Sequence, residues 1–178
     1  MRIIGGRLRG KAIEPPKGYN ARPTTDFAKE GLFNILDNEY DFEDLKVLDL
    51  FGGTGSIGIE FASRGAAHVD IVEMKSENAS FIRRSVASLG LSEIVSVVHC
   101  NVFDFIPLCT SKYDIIFADP PYALDALETI PDKILSCDIL HSGCWFILEH
   151  PAEYSFVSHP SFVKERKYGN VHFSIFCK

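Results

Sequence analysis

Cysteine is sparse and poorly placed for cross-linking. The five residues Cys100, Cys109, Cys137, Cys144 and Cys177 contain no C-x-x-C pair, and their odd number argues against a complete disulfide framework. They read as free, mostly buried thiols. Metal chemistry lacks a motif as well: His68, His99, His141, His150, His159 and His172 are scattered without an H-E-x-x-H, so no metal site is expected. No apolar run approaches the roughly 20 residues of a membrane-spanning helix. Arg2, Arg7, Arg9 and Lys11 interrupt the stretch where a signal peptide would carry its apolar core. The expectation is a cytoplasmic chain without membrane contact. Internal repeats and low-complexity tracts are missing too. Basic residues are in deficit: 18 Lys and Arg against 24 Asp and Glu give a net charge of −6, which by itself disfavours a polyanionic partner.

The deficit is unevenly spread. Residues 1–22 hold Arg2, Arg7, Arg9, Lys11, Lys17 and Arg22 against Glu14 alone, a local +5 that leaves −11 on the remainder. A basic arm on an acidic body is an electrostatic footprint for a phosphate backbone, and the body discriminates against unspecific polyanion binding. A solvated basic hairpin of no consequence is the plain alternative. The 178 residues, 46% hydrophobic and 24% charged, suit one globular unit with a sizeable core, divided into the arm 1–22 and a main domain 23–178.

Along the chain, Ile3 to Ile13 reads as a small glycine-turned hairpin appendage closed by Pro15-Pro16-Lys17-Gly18. A helix over 25–36 places Ala28, Leu32, Ile35 and Leu36 on one face behind a Thr25 or Asp26 cap. Short apolar runs then alternate with helical patterns: strands over 46–50, 68–72, 94–100, 113–118 and 144–149, helices over 56–64, 76–89 and 124–136. Such alternation implies right-handed crossovers and a doubly wound, mostly parallel α/β sheet of Rossmann-like type. Phe162–Lys167 and Val171–Phe176 close the chain as an antiparallel hairpin around Tyr168-Gly169-Asn170.

Two motifs stand at strand ends, where such sheets bind ligands. The run ending at Ala118 stops in Asp119-Pro120-Pro121-Tyr122. Neither proline donates to a ladder and each fixes its φ. Backbone carbonyls, a carboxylate and an aromatic ring are thus held together, acceptors and a stacking face for a planar substrate carrying an NH₂. A strand-ending turn with an ordinary tyrosine fits these four residues equally well. Upstream, Lys46–Phe51 opens into Gly52-Gly53-Thr54-Gly55-Ser56-Ile57-Gly58, with Glu73 ending the next strand 20 residues after Gly53. Gly53-x-Gly55-x-x-Gly58 satisfies the letter of a dinucleotide fingerprint, and no Lys-Ser or Lys-Thr follows to make a triphosphate loop. Glu73 is placed to accept both hydroxyls of a ribose. Asp49 separates the cofactors: a carboxylate there repels a pyrophosphate but pairs with the α-ammonium of a methionine moiety, which favours S-adenosylmethionine over NAD. Asn101, past the strand 94–100, can both donate to and accept from an adenine edge, or simply form a turn. Glu149 ends a further strand and has at most a structural or substrate-facing role.

Val47-Leu48-Asp49-Leu50-Phe51-Gly52-Gly53-Thr54-Gly55 together with Asp119-Pro120-Pro121-Tyr122 resembles the class I methyltransferases that modify exocyclic amines. Met1–Lys11, Arg22-Pro23-Thr24-Thr25-Asp26, Leu32–Leu36 and Ser63-Arg64-Gly65-Ala66 resemble one branch of these, the RsmD-type 16S rRNA guanine-N2 methyltransferases. The resemblance covers nearly the whole chain. It implies S-adenosylmethionine bound through Asp49, Phe51, Gly52, Gly53, Gly55, Glu73, Asn101 and Asp119. Methyl transfer falls to Asp119, Pro120, Pro121 and Tyr122, and ribosomal RNA would meet Arg2, Arg7, Arg9, Lys11 and Arg22. The implied partner is a small ribosomal subunit or its assembly intermediate, met by a monomer. Ser85 departs from the pattern, which has asparagine in that helix, and puts a helix-to-site hydrogen bond in question. Three alternatives stay open: an adenine-N6 or other amine methyltransferase on DNA or RNA, an NAD-dependent oxidoreductase, and a non-enzymatic RNA-binding module.

Overall fold

The computed structural model describes residues 1–15, 25–124 and 127–178. Lys17, Arg22 and the Pro16-Lys17-Gly18 and Arg22-Pro23-Thr24 stretches lie outside them. Seven strands form one sheet: β1 (Lys46–Leu50), β2 (His68–Glu73), β3 (Val95–His99), β4 (Tyr113–Ala118), β5 (Leu140–His150), β6 (Phe162–Tyr168) and β7 (Val171–Cys177). Their order is β3-β2-β1-β4-β5-β7-β6. The first five are parallel, and β7 runs antiparallel between β5 and β6. The chain winds outward from β1 to β3 and then returns to β4, so the topological switch lies between β1 and β4. The doubly wound sheet with a terminal antiparallel hairpin is thus present.

Period-two alternation divides the sheet between two helical layers. Val47, Ile71, Phe117 and Ile147 face α1 (Asp26–Asp37), α2 (Ser56–Arg64) and α3 (Ser76–Ser88). Leu48, Val72, Ile116 and Leu148 face α4 (Val102–Phe105) and α5 (Ile130–Ser136). The first helix begins where the sequence places it: Thr25 Oγ1 accepts the Ala28 N–H at 3.1 Å, and Ala28, Leu32 and Leu36 are buried.

Two elements differ from the sequence reading. The helix expected over 124–136 is α5 alone, preceded by a 3₁₀ turn at Leu127–Thr129. Pro131 is the reason: it sits in the first turn of α5, and inside a longer helix its ring would meet the carbonyl four residues back. Strand β5 starts at Leu140 rather than 144, pairing Leu140 with Tyr113 across an irregularity in register. The thiols are free and half-buried rather than mostly buried.

The N-terminal segment turns back on itself through one antiparallel bridge, Arg2 to Ala12, with the Ile3 N–H donating to the Lys11 carbonyl at 2.9 Å. It is fastened to the body by its own apolar and polar groups. Ile3 and Leu8 are buried, the Leu8 N–H donates to Ser63 Oγ at 3.1 Å, and Ser63 Oγ donates to the Gly5 carbonyl at 2.7 Å. Contact with α2 is so close that a Cβ at Gly6 would lie 1.9 Å from the Ser63 carbonyl oxygen, at a φ of +69°, which explains the Gly5-Gly6 pair. Arg7, Arg9 and Lys11 are left on the surface and form no ion pair among the described residues. Arg2, also exposed, pairs with Asp26 at 3.2 Å.

Candidate active site

Asp49, Glu73, Asp119 and Glu149 fall at the carboxyl ends of β1, β2, β4 and β5, all in the alternation that points toward the α1–α3 layer. Each follows an apolar run, so the sheet delivers four carboxylates to one rim beside the switch point.

Asp49 is 2% exposed. Its Oδ2 accepts the Gly58 N–H at 2.9 Å, and burial, reinforced by the nearby Glu73 charge, pushes its carboxyl up to about 8 against the opposing pull of that hydrogen bond. Gly58 is what lets α2 come so near: a Cβ there would stand 2.6 Å from Ile71 Cδ1 and 3.1 Å from Asp49 Oδ2. The third glycine of the fingerprint therefore serves helix-to-strand packing and holds Asp49. Phe51 takes a φ of +63°, a conformation that costs a non-glycine residue about 1 to 3 kcal/mol and is found at ligand-holding turns.

Glu73 closes the loop from the other side. Its Oε2 accepts the Gly53 N–H at 2.8 Å and its Oε1 the Lys75 N–H at 2.7 Å. Both oxygens keep further acceptor capacity. The N–H groups of Thr54, Ser56 and Ile57, at the start of α2, meet no acceptor among the described residues. An anionic group approaching the Gly52–Gly55 turn would find these donors aimed by a helix N-terminus.

Asn101 acts first as a cap. Its Oδ1 accepts the Phe103 N–H at 2.9 Å, and its Nδ2 lies 3.6 Å from the sulfur of Met74, a residue 57% exposed. The turn-forming role is real, and the amide nitrogen remains beside an exposed thioether. Met74 and Phe103 were missed from the sequence because neither ends a strand or belongs to a motif.

At the switch point the Asp119 N–H donates to the Leu50 carbonyl at 3.3 Å and the Leu124 N–H to the Pro121 carbonyl at 2.8 Å. The Asp119 and Pro120 carbonyls accept nothing among the described residues. Burial, and then the charges of Glu149 and Asp49, drives the Asp119 carboxyl well above the usual range, toward its neutral form. Tyr122 is 40% exposed, and its hydroxyl donates to Glu149 Oε1 at 3.4 Å. Glu149, 3% exposed, therefore belongs to this site. Its position at the end of an apolar run, like the other three acids, was the signal for it.

Ser85 is buried in α3. Its hydroxyl makes no hydrogen bond among the described residues, so no helix-to-site bond comes from it. Two of the scattered histidines converge on the other face of the sheet: His150 Nε2 lies 2.8 Å from Ser174 Oγ, and His172 Nδ1 lies 2.8 Å from Glu165 Oε1. The ligand atoms of His150, Glu165 and His172 are all within 4.8 Å of one another. Each already has a protein partner, and burial holds His150 below its ordinary value, in the neutral form.

Known proteins resemble this chain in sequence and in fold. The family described as Conserved hypothetical protein 95 matches residues 1–177. The chain belongs to that family, the RsmD family. It is similar to Ribosomal RNA small subunit methyltransferase D of Buchnera aphidicola subsp. Baizongia pistaciae, 28% identical over 99% of this chain and 91% of the relative. It is also similar to the protein of that name in Escherichia coli K12, 35% identical over 72% of this chain; the match spans 63% of that relative's length. Among solved structures, a hypothetical protein of Thermus thermophilus superposes with a TM-score of 0.88 at 29% identity, over 100% of this chain and 99% of that one. The family match covers the N-terminal segment as well as the sheet.

Proposed function

We propose that this protein transfers a methyl group from S-adenosylmethionine to the exocyclic N2 amine of a guanine in 16S ribosomal RNA, acting as a cytoplasmic monomer on a small ribosomal subunit or its assembly intermediate. The observation that carries the reading is the pair of carbonyls at Asp119 and Pro120 that meet no donor among the described residues, beside an exposed Tyr122 and one strand from Asp49. The family relatives named for ribosomal RNA methylation support it.

The residues present fit the cofactor. Asp49 would hold its α-ammonium, the amides of Thr54, Ser56 and Ile57 its carboxylate, Glu73 its ribose, and Asn101 with Met74 and Phe103 its adenine. When bound it supplies an electrophilic methyl on a sulfonium. The chain's own part is to present the amine. Asp119 and the Pro120 carbonyl accept its two hydrogens, which turns the lone pair out of conjugation and toward the methyl donor. Tyr122 stacks the base once it has left its own stack. Orientation and fixed electrostatics supply the acceleration. A neutral Asp119 accepts through its carbonyl oxygen, the S–CH3 bond breaks as the N–CH3 bond forms, and the proton that the methylated amine then sheds passes to water. Calorimetric titration tests this directly: S-adenosylmethionine binds and NAD does not, and the reverse would refute the cofactor assignment.

Glu73→Ala is expected to weaken S-adenosylmethionine binding by roughly 10- to 150-fold, the worth of a charged hydrogen bond. It also frees the Gly53 and Lys75 amides, so calorimetry should show the loss with a global fold intact by circular dichroism. Unchanged affinity would contradict the ribose assignment.

Asp49 makes binding pH-dependent. A carboxyl at about 8 in the free protein is mostly protonated at pH 7, while pairing with an ammonium requires the ionised form. Cofactor binding should therefore release close to one proton at pH 7 and tighten between about pH 6 and 8. Heats measured in buffers of different ionisation enthalpy report the proton, and Asp49→Asn should abolish its release. The sign for the free protein follows: a raised folded value stabilises fully below the unfolded value of about 4, and that stability is lost as pH climbs through 8.

Arg7, Arg9 and Lys11 bind RNA phosphates without choosing the base. Neutralising all three should weaken RNA binding and flatten its logarithmic salt dependence by nearly one unit for each phosphate no longer neutralised, with cofactor affinity unchanged. Identical slopes for wild type and the triple variant would place the RNA elsewhere.

A further inference from the structure

Strand alternation gathers four polar side chains on the apolar sheet face of Leu148 and Phe176. His150 is the direct partner of His172 in the β5–β7 register, and Glu165 is that of Ser174 in the β6–β7 register. His172 and Ser174 are two residues apart on β7, so all four share one face. His150, His172 and Ser174 are buried, and the Phe156 ring stands edge-on to His150 with centroids 5.0 Å apart. The ligand atoms of His150, Glu165 and His172 lie within 4.8 Å of one another. We propose that His150, Glu165 and His172 form a zinc(II) site that ties the terminal hairpin β6–β7 to β5. The donors come from three strands, which is why no local spacing in the sequence announces them.

Two imidazole nitrogens and one carboxylate oxygen are a donor set that zinc takes readily. His150 Nδ1 lies 2.9 Å from the Pro151 carbonyl oxygen, which only accepts, so Nδ1 carries the hydrogen and Nε2 presents its lone pair to the cluster. A backbone carbonyl on the second ring nitrogen is the usual outer partner of a metal-bound histidine. Glu165 Oε1 is 4.0 Å from His150 Nε2 and 2.8 Å from His172 Nδ1. These values bracket the roughly 3.4 Å between neighbouring ligands of a tetrahedral zinc with bonds of about 2.0 to 2.1 Å. Lys167 Nζ, 3.3 Å from Glu165 Oε2, holds the other carboxylate oxygen and leaves Oε1 to the ion. Without the ion, His172 Nδ1–H donates to Glu165 and the Ser174 hydroxyl, 2.8 Å from His150 Nε2, donates to that nitrogen. With the ion bound, His172 carries its hydrogen on Nε2 and stays neutral, and Ser174 Oγ or a water fills the fourth position. The Glu165 side chain, 19% exposed, is the side from which an ion enters.

The test uses the metal alone. Protein stripped with a chelator is titrated with zinc(II) in competition with a chromophoric chelator, and separately with cobalt(II). A single ion per chain should bind. Cobalt should show the visible bands of a four-coordinate site and lack the near-ultraviolet band of a thiolate ligand, since none of the free cysteines takes part. Zinc at about 100 times its dissociation constant should raise the thermal midpoint by about 5 to 10 °C. Glu165→Gln and His172→Gln should each weaken zinc binding by more than the roughly 10- to 100-fold that loss of an outer partner costs, and remove most of that rise. Glu165 is partly exposed, so its variant keeps the core packing and decides the matter if His172→Gln fails to fold. Absence of zinc binding in the wild type, a thiolate band with cobalt, or undiminished binding in Glu165→Gln overturns the inference and leaves the four side chains a hydrogen-bonded network alone.

Discussion

Alanine at Asp119 or Tyr122 is expected to slow methyl transfer by about 10²- to 10³-fold, the loss seen when one preorganised polar group is removed from a reacting centre. The two variants fail for different reasons. Without Asp119 one amine hydrogen has no acceptor and the lone pair stays conjugated with the ring. Without Tyr122 the base loses its stacking face, while S-adenosylmethionine binding stays near the wild-type value because the ring lies on the substrate side. Asp119→Asn separates the two roles a carboxyl can play. Burial and the Glu149 and Asp49 charges drive Asp119 toward neutrality, and an amide keeps the carbonyl acceptor, so this variant should hold its rate within about tenfold of wild type, well above the loss of one catalytic group. Single-turnover rates at saturating cofactor are the measurement. Equal loss in Asp119→Asn and Asp119→Ala would make Asp119 a base, and a full rate in Tyr122→Ala would remove the stacking role.

Glu60→Ala is expected to destabilise the fold by about 3 to 5 kcal/mol, the cost of stranding one member of a buried ion pair. Lys29 and Glu60 are 1% and 0% exposed and 3.3 Å apart. Lys29 Nζ also donates to the Arg2 carbonyl at 2.5 Å and lies 3.2 Å from Ser56 Oγ. Glu60 takes the Ile4 N–H at 3.0 Å and Arg64 Nε at 3.0 Å. Burial lowers Lys29 and the Glu60 charge opposes it, so deleting the acid leaves an ammonium without a counter-ion inside the protein. The pair joins the N-terminal segment, α1 and the first turn of α2, next to the glycine loop. Urea unfolding should give a large loss for Glu60→Ala and for Lys29→Ala, and a double-variant loss well below their sum. A change within about 1 kcal/mol for Glu60→Ala would show that the pair is a surface-like interaction.

These two sites differ in how visible they were in the sequence. The rim acids were legible because a strand's alternation is local: a run such as Val47–Leu50 announces its direction, and a carboxylate at the end of it stands out. Parallel order followed from the strand and helix alternation, and the glycine loop from its composition. The Lys29–Glu60 pair was not legible, since it joins two separate helices, and no local pattern shows that two charges share one buried gap. Glu149 was visible as a strand end, but its partnership with Tyr122 required the β4–β5 register. The interruption at Pro131 could have been read, because proline in the middle of a helical pattern marks a boundary. Fastening of the N-terminal segment was hidden for the same reason as the ion pair: Ser63 and Gly5 meet across 58 positions.

The central claim is that Asp119 and Tyr122 present a guanine N2 amine of small-subunit RNA for methylation. Small subunits lacking the modification, incubated with the protein and isotopically labelled S-adenosylmethionine, should acquire one label, found by mass spectrometry as N2-methylguanine in 16S RNA, and Asp119→Ala should leave it absent over the same time. A label on adenine, a label in large-subunit RNA alone, or no label from a protein that binds the cofactor would contradict the account.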